Sequence, residues 1–218
     1  PNCKQILRWW ELIPILSFLF LRAKCARCGE KISWQYPIVE ILTGLVFATI
    51  FNLQFSILQN IIVLTIFCIY IVISIYDLKN QIIPDELVYL SIFLSIFIPL
   101  FFINYSLLDW LAGPILFTLF GSIWLLSKGR AMGFGDAKLA LSVGLLLGGA
   151  VGFSAIILAF WIGALVSLIY IFLKKYGCRL GGVDFLKNAK ELTMKSEVPF
   201  APFIIFGAWI SLVFHINL

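Results

Sequence analysis

Apolar residues are gathered in long runs along this chain, and short polar or basic segments separate the runs. Runs of about 15 to 21 apolar residues have the length that an α-helix needs to cross a hydrocarbon layer of about 30 Å. The alternation of apolar and polar positions that is typical of strands is absent. The pattern predicts seven membrane spans, at residues 37–53, 56–76, 87–103, 107–127, 137–151, 153–173 and 200–217.

The fifth predicted span differs from the others, because "AKLALSVGLLLGGAV" is short and rich in small residues. Such a helix is suited to packing against neighbouring helices rather than against lipid. Composition supports the membrane assignment, since 62% of the residues are hydrophobic, 12% are charged and the mean hydropathy is +1.05. These values lie outside the range of soluble domains. We therefore predict an all-α, polytopic transmembrane helix bundle surrounded by membrane lipid.

The cationic side chains fall on one side of the predicted membrane. All 16 Lys and Arg residues lie before the first span or near the connections that follow spans two, four and six. The opposite connections carry none, so the positive-inside rule makes the basic side cytoplasmic. The net charge of +5 reflects this asymmetry, and the sequence gives no indication of a nucleic-acid partner.

Residues 1–36 are predicted to form a cytoplasmic segment before the transmembrane domain of residues 37–218. This segment contains "CARC", with Cys25 and Cys28, and Cys3 lies upstream. Two thiolates at this spacing can hold one tetrahedral Zn²⁺. Three cysteines do not complete a structural site, and the fourth ligand could precede Pro1. The alternatives are a disulfide, which a reducing cytoplasm disfavours, and unligated thiols.

Two aspartates lie at matching depth at the cytoplasmic ends of different predicted spans. Asp77 closes the second span, and Asp136 opens the fifth within "GFGD". Carboxylates at the membrane edge are costly and are therefore candidates for function. Gly133 and Gly135 are expected to permit the backbone conformations and the close helix approach that would bring the two aspartates together. Asp85, in "IIPDELV", is expected either to cap the third span or to support Asp77.

Two classes of function use paired carboxylates within a helix bundle. A membrane aspartic protease would place its dyad beside the scissile bond, whereas a proton-coupled transporter would place its acidic groups near the bilayer midplane. The predicted position of Asp77 and Asp136 at the membrane edge favours the protease.

Several segments together resemble the prepilin peptidases, also called type IV leader peptidases. The three membrane motifs of that family are similar to "IYDLKNQIIPDELV", "GFGDAKLALSVGLLLG" and "VPFAPFIIFGAW", in this order. The first forty residues are similar to the family's cytoplasmic domain, and the resemblance extends over essentially the whole chain. A presenilin-like intramembrane protease would share "YD" and "GFGD", but the cysteine-bearing segment and "IPD" favour the prepilin peptidases.

The resemblance implies a specific activity and specific site residues. Asp77 and Asp136 match the family's catalytic aspartates, and Cys3, Cys25 and Cys28 match three of its four cytoplasmic cysteines. The family's first membrane helix would precede Pro1, which gives eight spans in the complete protein. The implied enzyme is an aspartic endopeptidase of the cell (inner) membrane that removes the basic leader of type IV prepilins and pseudopilins after a glycine, at the cytoplasmic membrane edge. Proteolysis needs no cofactor.

Bifunctional members of this family also methylate the newly exposed N-terminus with S-adenosylmethionine. Only the resemblance implies this second activity here, because the sequence contains no glycine-rich nucleotide-binding pattern. Ala23, in "LRAKC", stands where the family usually has glycine. The expected methyltransferase activity therefore depends on whether alanine can replace glycine at residue 23.

Overall fold

The computed structural model describes residues 8–53, 55–101, 106–130, 132–175 and 199–215. Within these ranges lie eight α-helices: α1 (Leu16–Phe20), α2 (Gln35–Asn52), α3 (Ile57–Asn80), α4 (Asp85–Phe101), α5 (Leu107–Ser127), α6 (Phe134–Leu147), α7 (Gly149–Lys175) and α8 (Ala201–Phe214). The described ranges contain no β-strand, and Lys24 and Lys31 form an isolated antiparallel bridge. The predicted all-α fold is therefore confirmed.

Each predicted span corresponds to one of the helices α2 to α8, with bounds that differ by a few residues. Among the described residues, α2, α3, α5 and α7 are long and apolar enough to cross a membrane. The other three are shorter, since α4 has 17 residues and α6 and α8 have 14 each. A helix of 14 residues reaches only about 21 Å, less than the hydrocarbon thickness of about 30 Å. The bundle thus combines full-length helices with shorter apolar ones.

Two of the long helices begin with the same capping arrangement. Ser56 precedes α3, and its hydroxyl accepts a hydrogen bond from the Gln59 N–H while the Gln59 side chain accepts one from the Ser56 N–H. Ser106 and Asp109 form the equivalent box at the start of α5. Each box satisfies backbone donors that the first turn of a helix leaves unpaired. These caps fix where α3 and α5 begin.

The boundary between the fifth and sixth predicted spans is wrong. The fifth was expected to continue to residue 151, but α6 ends at Leu147, and residue 152, expected to separate the two spans, lies inside α7. Gly148 has a φ of 78°, a conformation that favours glycine and interrupts the helix. Asp109 then accepts a hydrogen bond of 2.8 Å from the Gly149 N–H, at the first residue of α7.

The described residues divide into two compact units, and the division falls between Leu45 and Val46, inside α2. In the unit before this division, the Ile15 N–H donates a hydrogen bond of 2.7 Å to the Glu40 carboxylate. Phe18 of α1 is buried and packs edge-on against the Trp34 ring at 5.0 Å. Glu40 therefore has a structural partner within its own unit.

In the second unit, α6 packs against α4, α5, α7 and α8. Its small residues allow this, because a Cβ added to Gly144 would lie 2.7 Å from the Cα of Gly113 in α5. From Ser142 to Leu147 every residue of α6 is buried. The expectation that this helix is covered by its neighbours is confirmed.

A buried hydroxyl cluster joins α3, α4 and α6. The Ser142 hydroxyl lies 2.8 Å from the Tyr70 hydroxyl, 3.0 Å from that of Ser91 and 3.2 Å from that of Ser95. Ser91 and Ser95 also donate to backbone carbonyls of α4. Because lipid offers no competing partners, such bonds favour one particular pairing of the helices. The cluster therefore fixes the register among α3, α4 and α6.

Candidate active site

The two aspartates come from different helices and meet in the second unit. Asp77 lies in the last turn of α3 and Asp136 in the first turn of α6. Both are buried, with exposed fractions of 5% and 6%. The first turn of α6 lies against the connection that follows α3, since a Cβ added to Gly135 would lie 2.8 Å from the Cβ of Ile83. The structure thus places the two carboxyl groups that the sequence singled out at neighbouring helix ends.

Asp136 is held at a helix start that two glycines make compact. The chain before Asp136 is extended at Gly133, whose carbonyl accepts a hydrogen bond of 3.2 Å from the Asp136 N–H. A Cβ added to Gly133 would lie 3.4 Å from Asp136 Oδ2, and one added to Gly135 would lie 2.8 Å from the Cβ of Ile83. Neither glycine has a positive φ. The expectation of an unusual backbone conformation is therefore wrong. The absence of a side chain allows close packing at Gly135, whereas a Cβ at Gly133 would make only an ordinary van der Waals contact.

Asp77 faces the beginning of α8. The Ala201 N–H donates a hydrogen bond of 3.3 Å to Asp77 Oδ2, and both residues are buried. The first N–H groups of a helix have no partner within that helix, so the Asp77 carboxylate supplies one. This contact gives "VPFAPF" a role that the sequence did not reveal. In the sequence, Pro202 indicates that a helix begins here, because proline is common in the first turn of helices.

Asp136 keeps one oxygen unpaired. Its Oδ1 is buried, and no described residue donates a hydrogen bond to it. Nearly all buried polar atoms in native proteins have a partner, and an unpaired one costs stability. Because an unpaired buried polar atom needs an explanation, this oxygen is a candidate for contact with the substrate.

Asp85 is the first residue of α4, so it does not occupy the N-cap position before that helix. Its side chain contacts α6 instead. Its Oδ1 accepts a hydrogen bond of 2.7 Å from Lys138 Nζ. Lys138 was not identified from the sequence as a site residue. The only available sign was its place two residues after Asp136, which does not reveal a partner 53 residues away.

The CxxC motif lies in a tight turn of the first unit. The Cys25 N–H donates to the Glu30 carbonyl at 2.8 Å, and the Gly29 N–H donates to the Cys25 carbonyl at 3.1 Å. Gly29 has a φ of 69°, which favours glycine. This turn carries both Cys25 and Cys28, as a two-thiolate metal grip requires. Cys3 lies outside the described residues, and the described part of the chain holds no group of three or more His, Cys, Asp or Glu suited to a metal.

Two family models match most of the chain. The model described as the type IV leader peptidase family matches residues 62–172, which include Asp77, Asp85, Asp136 and Lys138. The model described as the bacterial peptidase A24 N-terminal domain matches residues 1–54, which include the CxxC turn. The candidate dyad, the pair of Asp85 with Lys138 and the CxxC motif therefore lie within the matched ranges, whereas Ala201 lies outside them.

The chain is also similar to curated proteins that carry the name prepilin leader peptidase/N-methyltransferase. The protein of Stutzerimonas stutzeri is 30% identical over 219 residues, which is 98% of this chain and 70% of the relative. That of Bacillus subtilis (strain 168) is 30% identical over 213 residues, or 95% of this chain and 77% of the relative. That of Neisseria gonorrhoeae is 33% identical over 180 residues, or 78% and 59%. No solved structure matches the chain.

Proposed function

Because this chain is a multi-pass membrane protein that belongs to the type IV leader peptidase family, we propose that Asp77 and Asp136 are the catalytic dyad of its endopeptidase activity. The observation that carries the proposal is the burial of both carboxyl groups at neighbouring helix ends, where the first turn of α6 contacts the connection that follows α3. Paired acids in such surroundings are typical of functional sites. The substrates are prepilins and pseudopilins, whose basic leaders precede an apolar helix.

The proposed mechanism uses the two carboxyl groups as acid and base. Two like charges in a poorly solvated site repel, so the dyad shares one proton. The ionised member takes a proton from a water molecule, which attacks the scissile carbonyl carbon. The protonated member donates a hydrogen bond to the carbonyl oxygen and later helps to protonate the leaving amine. No covalent enzyme intermediate is formed.

The dyad is tested by Asp77→Asn and Asp136→Asn, assayed on a purified prepilin in detergent. Each variant keeps the shape of the side chain but cannot exchange the proton, so we expect cleavage to be abolished while the protein remains folded. Glu86→Gln is the matched control, because Glu86 is an exposed acid near the same end of the bundle. Near-normal cleavage by either asparagine variant would exclude this dyad.

We also propose that the site lies on the cytoplasmic side of the inner membrane. The basic connections lie at the same end of the helices as Asp77 and Asp136, and the positive-inside rule places such connections in the cytoplasm. A cysteine placed at the exposed residue Glu86 should add a label from a membrane-impermeant thiol reagent in inside-out vesicles. The same reagent should add no label at this position in cells with an intact inner membrane. The reverse pattern would place the site on the other side.

A structural Zn²⁺ held by Cys3, Cys25, Cys28 and a fourth ligand is a further proposal for the first unit. The tight turn around Cys25 and Cys28 fits a two-thiolate grip, and a bound Zn²⁺ would stabilise the fold of that unit. We expect Cys25→Ser and Cys28→Ser to lower the bound zinc measured by elemental analysis. Cys68→Ser is the control, because Cys68 lies in the middle of α3. Equal metal content in all three variants would exclude these ligands.

The names of the relatives support a second proposed activity, methyl transfer from S-adenosylmethionine to the new N-terminus. Ala23 bears on it because its φ is 59°, a conformation that costs a non-glycine residue roughly 1–2 kcal/mol. We expect Ala23→Gly to remove this strain and to increase transfer of a labelled methyl group to cleaved prepilin. Ala26→Gly, in the neighbouring turn, is the control. If Ala23→Gly changed neither methylation nor stability, Ala23 would not be a residue that limits methyl transfer.

A further inference from the structure

We propose that Lys138 and Asp85 form a positioning pair that sets how the first turn of α6, with Asp136, lies against the end of α3, with Asp77. Neither residue is proposed to react with substrate. The inference rests on the proposed dyad, because a pair that positions Asp136 matters to cleavage only if Asp136 takes part in it.

Lys138 is held more firmly than most surface lysines. Its Nζ lies 2.7 Å from Asp85 Oδ1, 5.0 Å from the centre of the Tyr89 ring and 5.2 Å from that of the Phe134 ring. The lysine side chain is 13% exposed, whereas that of Asp85 is 57% exposed. The carboxylate and the two ring faces all attract the ammonium group. One carboxylate and two aromatic rings from α4 and α6 therefore define its place.

The pair lies where it can control the dyad. Lys138 follows Asp136 by two residues in α6, and Asp85 begins α4 directly after the short connection from α3. That connection, residues 81–84, starts four residues after Asp77. The ion pair therefore ties the helix that carries one aspartate to the connection that follows the other.

A second contact joins the same two segments. A Cβ added to Gly135 would lie 2.8 Å from the Cβ of Ile83, so the first turn of α6 rests directly on the 81–84 connection. This apolar contact limits how near the segments can come, while the ion pair at Lys138 opposes their separation. Together the two contacts define one separation between the segments.

The magnitudes distinguish positioning from simple stabilisation. A partly exposed ion pair contributes about 0–1 kcal/mol to folding, so its loss should leave the bundle folded. A displacement of about 1 Å in a catalytic group can lower the rate by about 100-fold. The effect of removing the pair should therefore appear in kcat and not in protein yield or melting temperature.

The kinetic test compares Lys138→Met, Asp85→Asn and the double variant on a purified prepilin in detergent. We expect each single variant to lower kcat by about ten- to 100-fold with little change in KM, because the pair acts through Asp136. The double variant should be no slower than the slower single variant, since both remove the same interaction. Lys138→Arg should retain most of the parent kcat. The matched controls, Lys79→Met and Glu86→Gln, remove exposed charges near the same end and should leave kcat unchanged.

Hydrogen exchange supplies a readout that does not depend on proteolysis. Residues 81–84 and 133–138 should exchange faster in Lys138→Met and Asp85→Asn than in the two controls. Unchanged exchange, multiplied losses of kcat in the double variant, or a raised KM at unchanged kcat would overturn the positioning pair. If Asp136→Asn cleaves normally, the proposed dyad fails, whereas the exchange rates still decide whether Lys138 and Asp85 hold the two segments together.

Discussion

The opposite ends of α6 use an aspartate in opposite ways. At its far end Asp109, from α5, accepts hydrogen bonds from the Ser106 N–H, the Ser106 hydroxyl and the Gly149 N–H. At its near end Asp136 is more deeply buried, yet its Oδ1 receives no hydrogen bond from the described residues. An aspartate whose oxygens are occupied by backbone donors holds helices together. An aspartate with an unpaired buried oxygen is available for chemistry, at a cost in stability.

The largest expected difference between the two ends is seen with Asp136→Ala and Asp109→Ala. Asp136→Ala should abolish prepilin cleavage but leave the melting temperature equal or higher, because it removes a buried oxygen to which no described residue donates a hydrogen bond. Asp109→Ala should cost roughly 1–2 kcal/mol through the lost caps and leave most of the activity. Thermal unfolding in detergent and a cleavage assay measure both. The comparison would fail if both variants lost stability equally.

Substitutions of glycines at the two ends of α6 should also divide into one that lowers stability and one that lowers activity, and the effect on activity should be smaller than that of Asp136→Ala. Gly148→Ala combines a φ of 78° with a Cβ that would lie 2.8 Å from Asp109 Oδ1, so we expect roughly 1–3 kcal/mol of destabilisation. Gly135→Ala would displace Ile83 and the 81–84 connection, so it should lower kcat more than it lowers the melting temperature. A loss of activity in Gly148→Ala at a temperature where it stays folded would contradict this division.

Between the two ends, where packing alone decides, substitutions are expected to change stability and not activity. Gly144→Ala places a Cβ 2.7 Å from the Cα of Gly113 and should cost about 1–3 kcal/mol, because the backbone cannot easily move away. Gly121→Ala meets no atom within 4 Å and should be neutral or stabilising by up to about 1 kcal/mol. Melting temperatures of the two variants provide the measurement. If the two variants had equal melting temperatures, Gly144 and Gly113 would not form the close contact between α5 and α6.

Most of the helices could be predicted because an apolar run of sufficient length has few alternatives in a membrane. The start of α7 could not, since residues 144–153 are apolar or small throughout and offer no polar break. The break depends on the left-handed conformation of Gly148 and on Asp109, which lies 40 residues from Gly149 in sequence. Local hydropathy contains neither of these facts.

The candidate site was predictable as residues but not as contacts. Asp77 and Asp136 stand out because charged groups are rare beside apolar runs, and the glycines of "GFGD" mark a close approach. The bond from the Ala201 N–H to Asp77 spans 124 residues, and the pair of Lys138 with Asp85 spans 53. Such partners are chosen by the three-dimensional packing of α3, α4, α6 and α8, which a single sequence does not display.

The contact between Ala201 and Asp77 has a consequence for the order in which the enzyme matures. Of the described helices, α8 leaves the ribosome last, so a nascent chain presents both aspartates before it presents the N–H group that holds Asp77. Until α8 has entered the bilayer and docked, the carboxylate of Asp77 lacks this anchor. Any activity that depends on Asp77 would then begin only after α8 has docked.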